Sequence, residues 1–402
     1  MSKKVLIVGA GFAGVWGALA AARLLDQQGK TAADVEVTLI SPKPALDIRP
    51  RLYEPSPQDL SAPLLPLLEA IGVRFVEGSV EEIRTSAKQV DVRAADGSKL
   101  TLPYDRLLLT SGSKLFRPPV PGLSEHAFSV DQVEDAVELD KHLARLAALP
   151  ASPARNTVVV VGGGFTGLEL ATELPQRLRA VLGADAKISV VLVDRAADVG
   201  AGLGANPRPA IADALGSLGV VFRGGSGVAA IDATGVVTAA GTRIDAGTVV
   251  WTGGMRASSL TAQVSSTLDP LGRVEVTPDL RVVGTDHVFA AGDVALARTD
   301  DQGNYALMSC QHAIFMGRFG GHNAVADLLG LPTLEYRQLF YATCLDLGEW
   351  GAVYTEGWDR QVKLIGAEGK ERKRSINTAW IYPPAPSRAE ALAAGNPEIT
   401  FG

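Results

Sequence analysis

Val5-Leu6-Ile7-Val8-Gly9-Ala10-Gly11-Phe12-Ala13-Gly14 opens this 402-residue chain, and Val158-Val159-Val160-Val161-Gly162-Gly163-Gly164-Phe165-Thr166-Gly167 repeats it in the middle. Each stretch reads the same way: a wholly apolar run for a buried parallel strand, a tight glycine turn, then a helix to about Leu25 or Leu182. Another apolar run, 35–40 or 188–193, completes each βαβ unit. In a GxGxxG turn the first glycine permits the sharp bend. The second lets backbone approach a diphosphate, and the third lets helix and strand pack closely. The diphosphate then rests on the N–H groups and positive dipole end of the helix. With 43 glycines in the chain one such turn says little. Two in the same frame imply two dinucleotide-binding units, against the plainer reading of tight turns in an α/β fold.

The residue after the second strand of each unit is expected to meet a ribose. In the second unit it is Asp194, whose carboxylate can accept from ribose hydroxyls and would repel a 2′-phosphate. That favours NADH over NADPH, with neighbouring Arg195 leaving the choice open. In the first unit the position holds Ser41 where an acid is usual, so adenosine binding there must lean on other groups.

The rest of the chain is organised around these units. Pro118-Pro119-Val120-Pro121-Gly122 and Pro150-Ala151-Ser152-Pro153 cannot continue a helix or central strand, and they bracket a connecting helix over about 130–149. Gly253-Gly254 and the turn-rich stretch to Pro278 mark a return. The expectation is an α/β protein with a first dinucleotide-binding domain over 1–117 and 257–335, a second inserted over 118–256, and a small α+β domain over 336–402. A net charge of −6 removes nucleic acid from the default partners. Two cysteines, Cys310 and Cys344, fit a reducing compartment rather than a disulfide scaffold. The start, Met1-Ser2-Lys3-Lys4, lacks a signal-peptide pattern, so a cytoplasmic protein is expected. Nothing in the composition calls for a metal.

Further motifs follow in order: Thr110-Ser111-Gly112 after a Leu strand, Glu169 after the second glycine turn, Trp251-Thr252-Gly253-Gly254, and Val288-Phe289-Ala290-Ala291-Gly292-Asp293. Together they resemble the two-dinucleotide-binding-domain flavoproteins, and within them most nearly the type II NADH:quinone oxidoreductases, over nearly all of the chain to about residue 385. The resemblance implies FAD in the first unit and NAD(P)H, with NADH favoured, in the second. It assigns Gly9, Gly11 and Gly14 to the FAD pyrophosphate, Val80 to the adenine, and Ser111 and Gly112 to the flavin side. Gly292 and Asp293 fall against the ribityl or pyrophosphate region, and Arg49, with Arg51 nearby, beside the isoalloxazine. The plainer alternative for Asp293 is a helix N-cap, and Arg51 reads equally as part of an exposed loop. Gly162, Gly164, Gly167, Asp194 and Gly253 fall to the pyridine nucleotide. Glu169 matches a family glutamate that touches the nicotinamide ribose or relays protons; the plain alternative is a carboxylate in a helix's first turn.

The expected chemistry is hydride transfer from nicotinamide to flavin, with the protein stacking the rings and excluding water. No cysteine precedes Cys310 and no CxxC occurs, so a dithiol relay beside the flavin is not expected. Sulfide oxidation through Cys310 and Cys344 stays open beside the reading of two buried thiols. For a quinone-like acceptor the family carries two glutamines on the helix expected after Asp293. Gln311 matches the first, and the second has no counterpart before Gly317. His312 is either a proton donor to that acceptor or a core histidine. The tail, with a helix candidate over 388–394, lacks the broad apolar stripe of a membrane anchor, so at most weak peripheral contact is expected. Lys370-Glu371-Arg372-Lys373-Arg374 reads as a solvated charge run. Two other outcomes stay open: a reductase of a ferredoxin- or rubredoxin-like protein, and a redox sensor with incidental turnover. A homodimer is open as an assembly.

Overall fold

The structure, a computed structural model, describes residues 2–399. Its largest sheet has seven strands in the order Val288–Ala290, Arg106–Leu109, Lys3–Val8, Val35–Ser41, Arg74–Arg84, Gln89–Ala94, Lys99–Pro103. The first five pair in parallel and the last two turn back antiparallel. Val5, Leu6, Ile7 and Val8 are all buried, so both faces of the sheet are covered at this strand. The helix Phe12–Gln27 follows the first glycine turn and crosses the long helix Cys310–Leu329. Their backbones meet so closely that a Cβ at Gly317 would overlap Ala13 O, and one at Gly321 would overlap Gly17 O. Only glycine fits at such a crossing.

A second parallel sheet runs Val220–Arg223, Ser189–Val193, Thr157–Val161, Thr248–Trp251, with the helix Phe165–Leu182 after its glycine turn. An antiparallel trio, Val228–Asp232, Gly235–Thr238 and Arg243–Asp245, lies beside it. Where the chain passes from the first sheet to the second and back, Ser113–Leu115 pairs antiparallel with Met255–Ala257. The C-terminal part has three antiparallel strands, Ala342–Asp346, Ala352–Glu356 and Gln361–Ile365, followed by the helix Gly366–Ser375. The expected last helix is present as Arg388–Ala394 and packs on Phe12–Gln27.

Two sequence expectations are corrected. No long helix starts at Asp293; a single 3-10 turn, Gly292–Val294, follows the strand, and the helix begins at Cys310, capped by Ser309 Oγ. The intervening residues fold back on themselves, with Arg298 bridging Tyr305 around a turn held by Asp300. Asp293 is therefore not a helix cap, and its carboxylate accepts the Ser113 hydroxyl at 2.5 Å. Likewise 370–374 is not a solvated run: it lies on a helix whose Lys373 is buried and whose Lys370 is half-buried.

Candidate functional site

Two clefts lie over the two glycine turns, with volumes of about 430 and 770 Å³, the size of cofactor sites. In the first, Gly9 has φ +107°, and a Cβ there would sit 2.5 Å from Thr110 O. A Cβ at Gly14 would overlap Gly9 O, so the third glycine sets how near the helix comes to the turn. Thr110 Oγ donates to Val8 O (2.9 Å) or Gly9 O (3.0 Å), tying the neighbouring strand to the turn. Gly11 caps the helix without any side-chain bond and has open space where its Cβ would be. The first helical N–H groups therefore face an open cleft, ready for an anion.

Ser111, Gly112, Gly292 and Asp293 line the same cleft. Ser111 Oγ is buried without a partner, an orphan polar atom that a ligand would satisfy. Burial raises the Asp293 carboxyl above its ordinary value, with the Ser113 hydroxyl and Arg49 opposing. Arg49 lines the cleft and is clamped by Asp131, Nη2 to Oδ1 at 2.5 Å and Nε to the carbonyl at 3.0 Å. Arg51 does not line it: its guanidinium holds Glu54 (2.6 Å) and donates to Tyr382 Oη (2.9 Å). Val80 sits on the strand Arg74–Arg84 opposite Val92, outside the cleft lining.

The second cleft repeats the pattern. Gly162, Gly164 and Gly253 line it; Gly164 caps its helix with no side-chain bond, and a Cβ at Gly167 would overlap Gly162 O. Thr252 plays the part of Thr110, its Oγ reaching Val161 O (3.0 Å) and Gly162 O (3.2 Å). Asp194 holds the turn itself: Oδ2 accepts from Gly163 N at 2.5 Å and Oδ1 from Ala196 N at 2.7 Å. Each oxygen keeps a second lone pair for a ribose hydroxyl. Trp251 and Thr252 line both clefts, so the two cavities meet at one wall.

Behind Thr166, which lines the first cleft, the helix carries Glu169 into the protein interior. Its Oε1 accepts from Lys373 Nζ at 2.7 Å and from Asp346 N at 3.1 Å. Lys373 Nζ also donates to Cys344 O (3.1 Å) and sits 5.7 Å from the Tyr53 ring centre. Lys370 pairs with Asp346 at 2.6 Å, and Tyr53 Oη bonds the same carboxylate at 3.1 Å. Burial raises the Glu169 carboxyl, with Lys373 opposing. Burial alone would lower the Lys373 ammonium, but the Glu169 carboxylate outweighs it and holds it protonated. Lys373 was not anticipated from sequence; the only signal was that Lys370 and Lys373 share a face at helical spacing.

Gln311 is half-buried and its Oε1 accepts from Ala342 N at 3.5 Å; its neighbours Ser309, Cys310 and Ala313 line the flavin-side cleft, and Gln311 does not. Burial pushes the Cys310 thiol up to about 11 and the Cys344 thiol up to about 12. His312 proves to be a core residue: fully buried, it bonds Gln338 Oε1 through Nδ1 at 3.0 Å and stacks on Tyr341 and Trp358. Gln338 Oε1 also accepts from Tyr336 Oη, so the histidine must donate through Nδ1. Burial takes its imidazole down to about 4, so near neutral pH the ring is uncharged and its one N–H is committed to Gln338.

Comparison with known proteins bears on this geometry. The family described as pyridine nucleotide-disulphide oxidoreductase matches residues 3–317. An NADH dehydrogenase-like protein of Mycobacterium tuberculosis is 46% identical over 405 residues, covering 98% of each chain. A type II NADH:quinone oxidoreductase of Staphylococcus saprophyticus is 27% identical over 401 residues, covering 94% of this chain and 95% of its own. Among solved structures, Plasmodium falciparum NDH2 in complex with NADH superposes with a TM-score of 0.78 at 15% identity, covering 98% of each chain. FAD and NADH are the cofactors of this chain, and two clefts of cofactor size are present. With two open diphosphate cradles meeting at one wall and a match over most of its length, the chain belongs to the pyridine nucleotide-disulphide oxidoreductase family, as an NADH dehydrogenase.

Proposed function

We propose that this enzyme passes a hydride from NADH to FAD and then electrons to a quinone-like small acceptor, without a thiol relay. The observation that carries it is the shared wall: Trp251 and Thr252 border both clefts, so ligands seated on the two helix N-termini would meet there. Bound FAD supplies the two-electron chemistry; the protein supplies position and a dry site. Gly9, Gly11 and Gly14 cradle the first diphosphate, and Gly162, Gly164 and Gly167 the second. Asp194 fixes the second turn while presenting lone pairs to a ribose. The Glu169–Lys373 pair sits one helical turn behind Thr166 and holds the C-terminal helix against the nucleotide-binding helix. Gln311 is a polar group in the first turn of the helix that begins at Cys310, and we assign it to the acceptor side. Cys310 and Cys344 are free thiols, and their raised pKa values disfavour the nucleophilic thiolate a disulfide or sulfide step needs.

The domain limits given above, 1–117 with 257–335, 118–256 and 336–402, follow the same assignment. Among the described residues no helix is long and apolar enough to cross a membrane. The test is a panel of acceptors added to enzyme already reduced by NADH without oxygen. Flavin reoxidation by soluble quinones, faster than by ferricyanide-free buffer and slowed in Gln311→Ala, is expected. Reoxidation only by a small redox protein, or equal rates in Gln311→Ala, would overturn the acceptor assignment.

A further inference from the structure

Ser41 ends its strand where Asp194 follows the matching strand of the second unit, so the first cradle lacks the acid that would meet a sugar hydroxyl. The chain does not leave the cleft there. Over the next residues it runs along the cavity as an extended edge, including the strand Ala45–Asp47, which pairs antiparallel with Ser61–Pro63. Lys43, Ala45, Asp47 and Arg49 line the cleft, while Leu46 and Ile48 between them are fully buried in the core. The period of two follows from the strand geometry. The cleft wall carries three carboxylates that the glycine motif does not predict; Asp131 is taken up by Arg49 and Asp293 by the Ser113 hydroxyl, which leaves Asp47.

Asp47 is held but not satisfied. Its Oδ2 pairs with Lys43 Nζ at 2.8 Å, and Lys43 also reaches Glu134 at 3.2 Å. Its Oδ1 is buried and has no hydrogen-bond partner. A buried carboxylate oxygen left unbonded is costly, and at a cofactor cleft the natural explanation is a donor that arrives with the ligand. Arg49 does not supply that donor: its Nε and Nη2 are turned to Asp131, and no bond to Asp47 Oδ1 forms. Diphosphate oxygens have no proton to offer, whereas the sugar hydroxyls of FAD do. Lys43 offsets the carboxylate charge, so an acid can stand in a cleft that must also admit two phosphates.

We propose that Asp47 accepts a sugar hydroxyl of bound FAD, doing in the first unit what a carboxylate after the second strand does in the other. The reading is tested by a difference of sign. If Asp47 serves only to balance Lys43, then Asp47→Asn removes a negative charge beside an anionic ligand, and FAD is held as tightly or more tightly. If Asp47 accepts a hydroxyl, the same change weakens FAD, by about tenfold or more in Kd. The measurement is flavin fluorescence on diluting the holoenzyme, with Glu134→Gln as the control that releases Lys43 from its other carboxylate outside the cleft. Weakening in Asp47→Asn with none in Glu134→Gln is the expected result. ADP added as competitor then separates the two sugars. A matching loss of ADP affinity in Asp47→Asn assigns the adenosine ribose, and unchanged ADP affinity assigns the ribityl chain. FAD retention in Asp47→Asn equal to or above wild type overturns the proposal. Thermal melting of each variant, followed by circular dichroism, keeps a folding defect from passing as weakened binding.

Discussion

Gly11 and Gly164 allow a clean perturbation of the two cradles, because each is open where a Cβ would stand. Their φ values, −74° and −79°, suit any residue. Alanine at either site therefore clashes with nothing in the protein itself. The unfolded chain loses some freedom, worth ~0.4–1 kcal/mol in favour of folding, and the helix loses a preferred N-cap residue, worth about as much against it. Net stability should stay within about 1 kcal/mol of wild type. Binding is another matter, since the new methyl stands where backbone N–H groups must approach a diphosphate. Losing even two such charge-assisted bonds costs about 3 kcal/mol or more, or at least a hundredfold in Kd. Gly11→Ala should purify with little flavin and an unchanged melting midpoint in denaturant. Gly164→Ala should stay yellow yet need about a hundredfold more NADH for half-maximal flavin reduction. Flavin loss in Gly164→Ala, or full flavin retention in Gly11→Ala, would refute the assignment of the two clefts.

Lys373→Met should destabilise the protein by about 3–5 kcal/mol, because it strands the buried Glu169 carboxyl. The folded-state pKa of Glu169 is raised, so stability tied to it is complete below its ordinary value of 4.5 and lost as pH rises. The defect in Lys373→Met should accordingly grow from pH 4.5 upward in urea titrations, and Glu169→Gln on top should recover much of it; a loss under 1 kcal/mol, flat in pH, would contradict the buried pair. For His312 the sign is opposite. Its folded value is depressed to about 4 from 6.5, so its contribution is complete above pH 6.5 and lost as pH falls, at about 3 kcal/mol over that window. His312→Gln should flatten stability between pH 6.5 and 4, and an unchanged acid limb would refute the neutral core histidine. Alkylation of Cys310 in a Cys344→Ser background should keep accelerating toward pH 11; a plateau near pH 9 would show an ordinary thiol instead.

The two glycine units were legible because strand, turn and helix signals lie within ten consecutive residues, and burial on both faces of a parallel sheet leaves an apolar run that local reading detects. Asp194 was legible for the same reason, at a fixed distance beyond its glycines. That its carboxylate also holds Gly163 N was not, since the turn's path comes from the fold. Lys373 escaped because its meaning depends on Glu169, 204 positions earlier, and a cationic run looks solvated until its partner is placed. The helix at Cys310 was expected too early: Gly292-Asp293 looks like a helix start, but the backbone first spends a 3-10 turn and a folded-back loop. His312 was left between two readings by sequence. Gln338, Tyr341 and Trp358, brought in from later in the chain, decide for the core.

The most direct measurement is an anaerobic titration of the purified protein with NADH, followed by the flavin absorbance band. One NADH bleaching one bound FAD per chain, before any acceptor is added, is the result that two abutting cradles require. A protein that takes up no FAD, or whose bound flavin keeps its colour under excess NADH, would contradict the account.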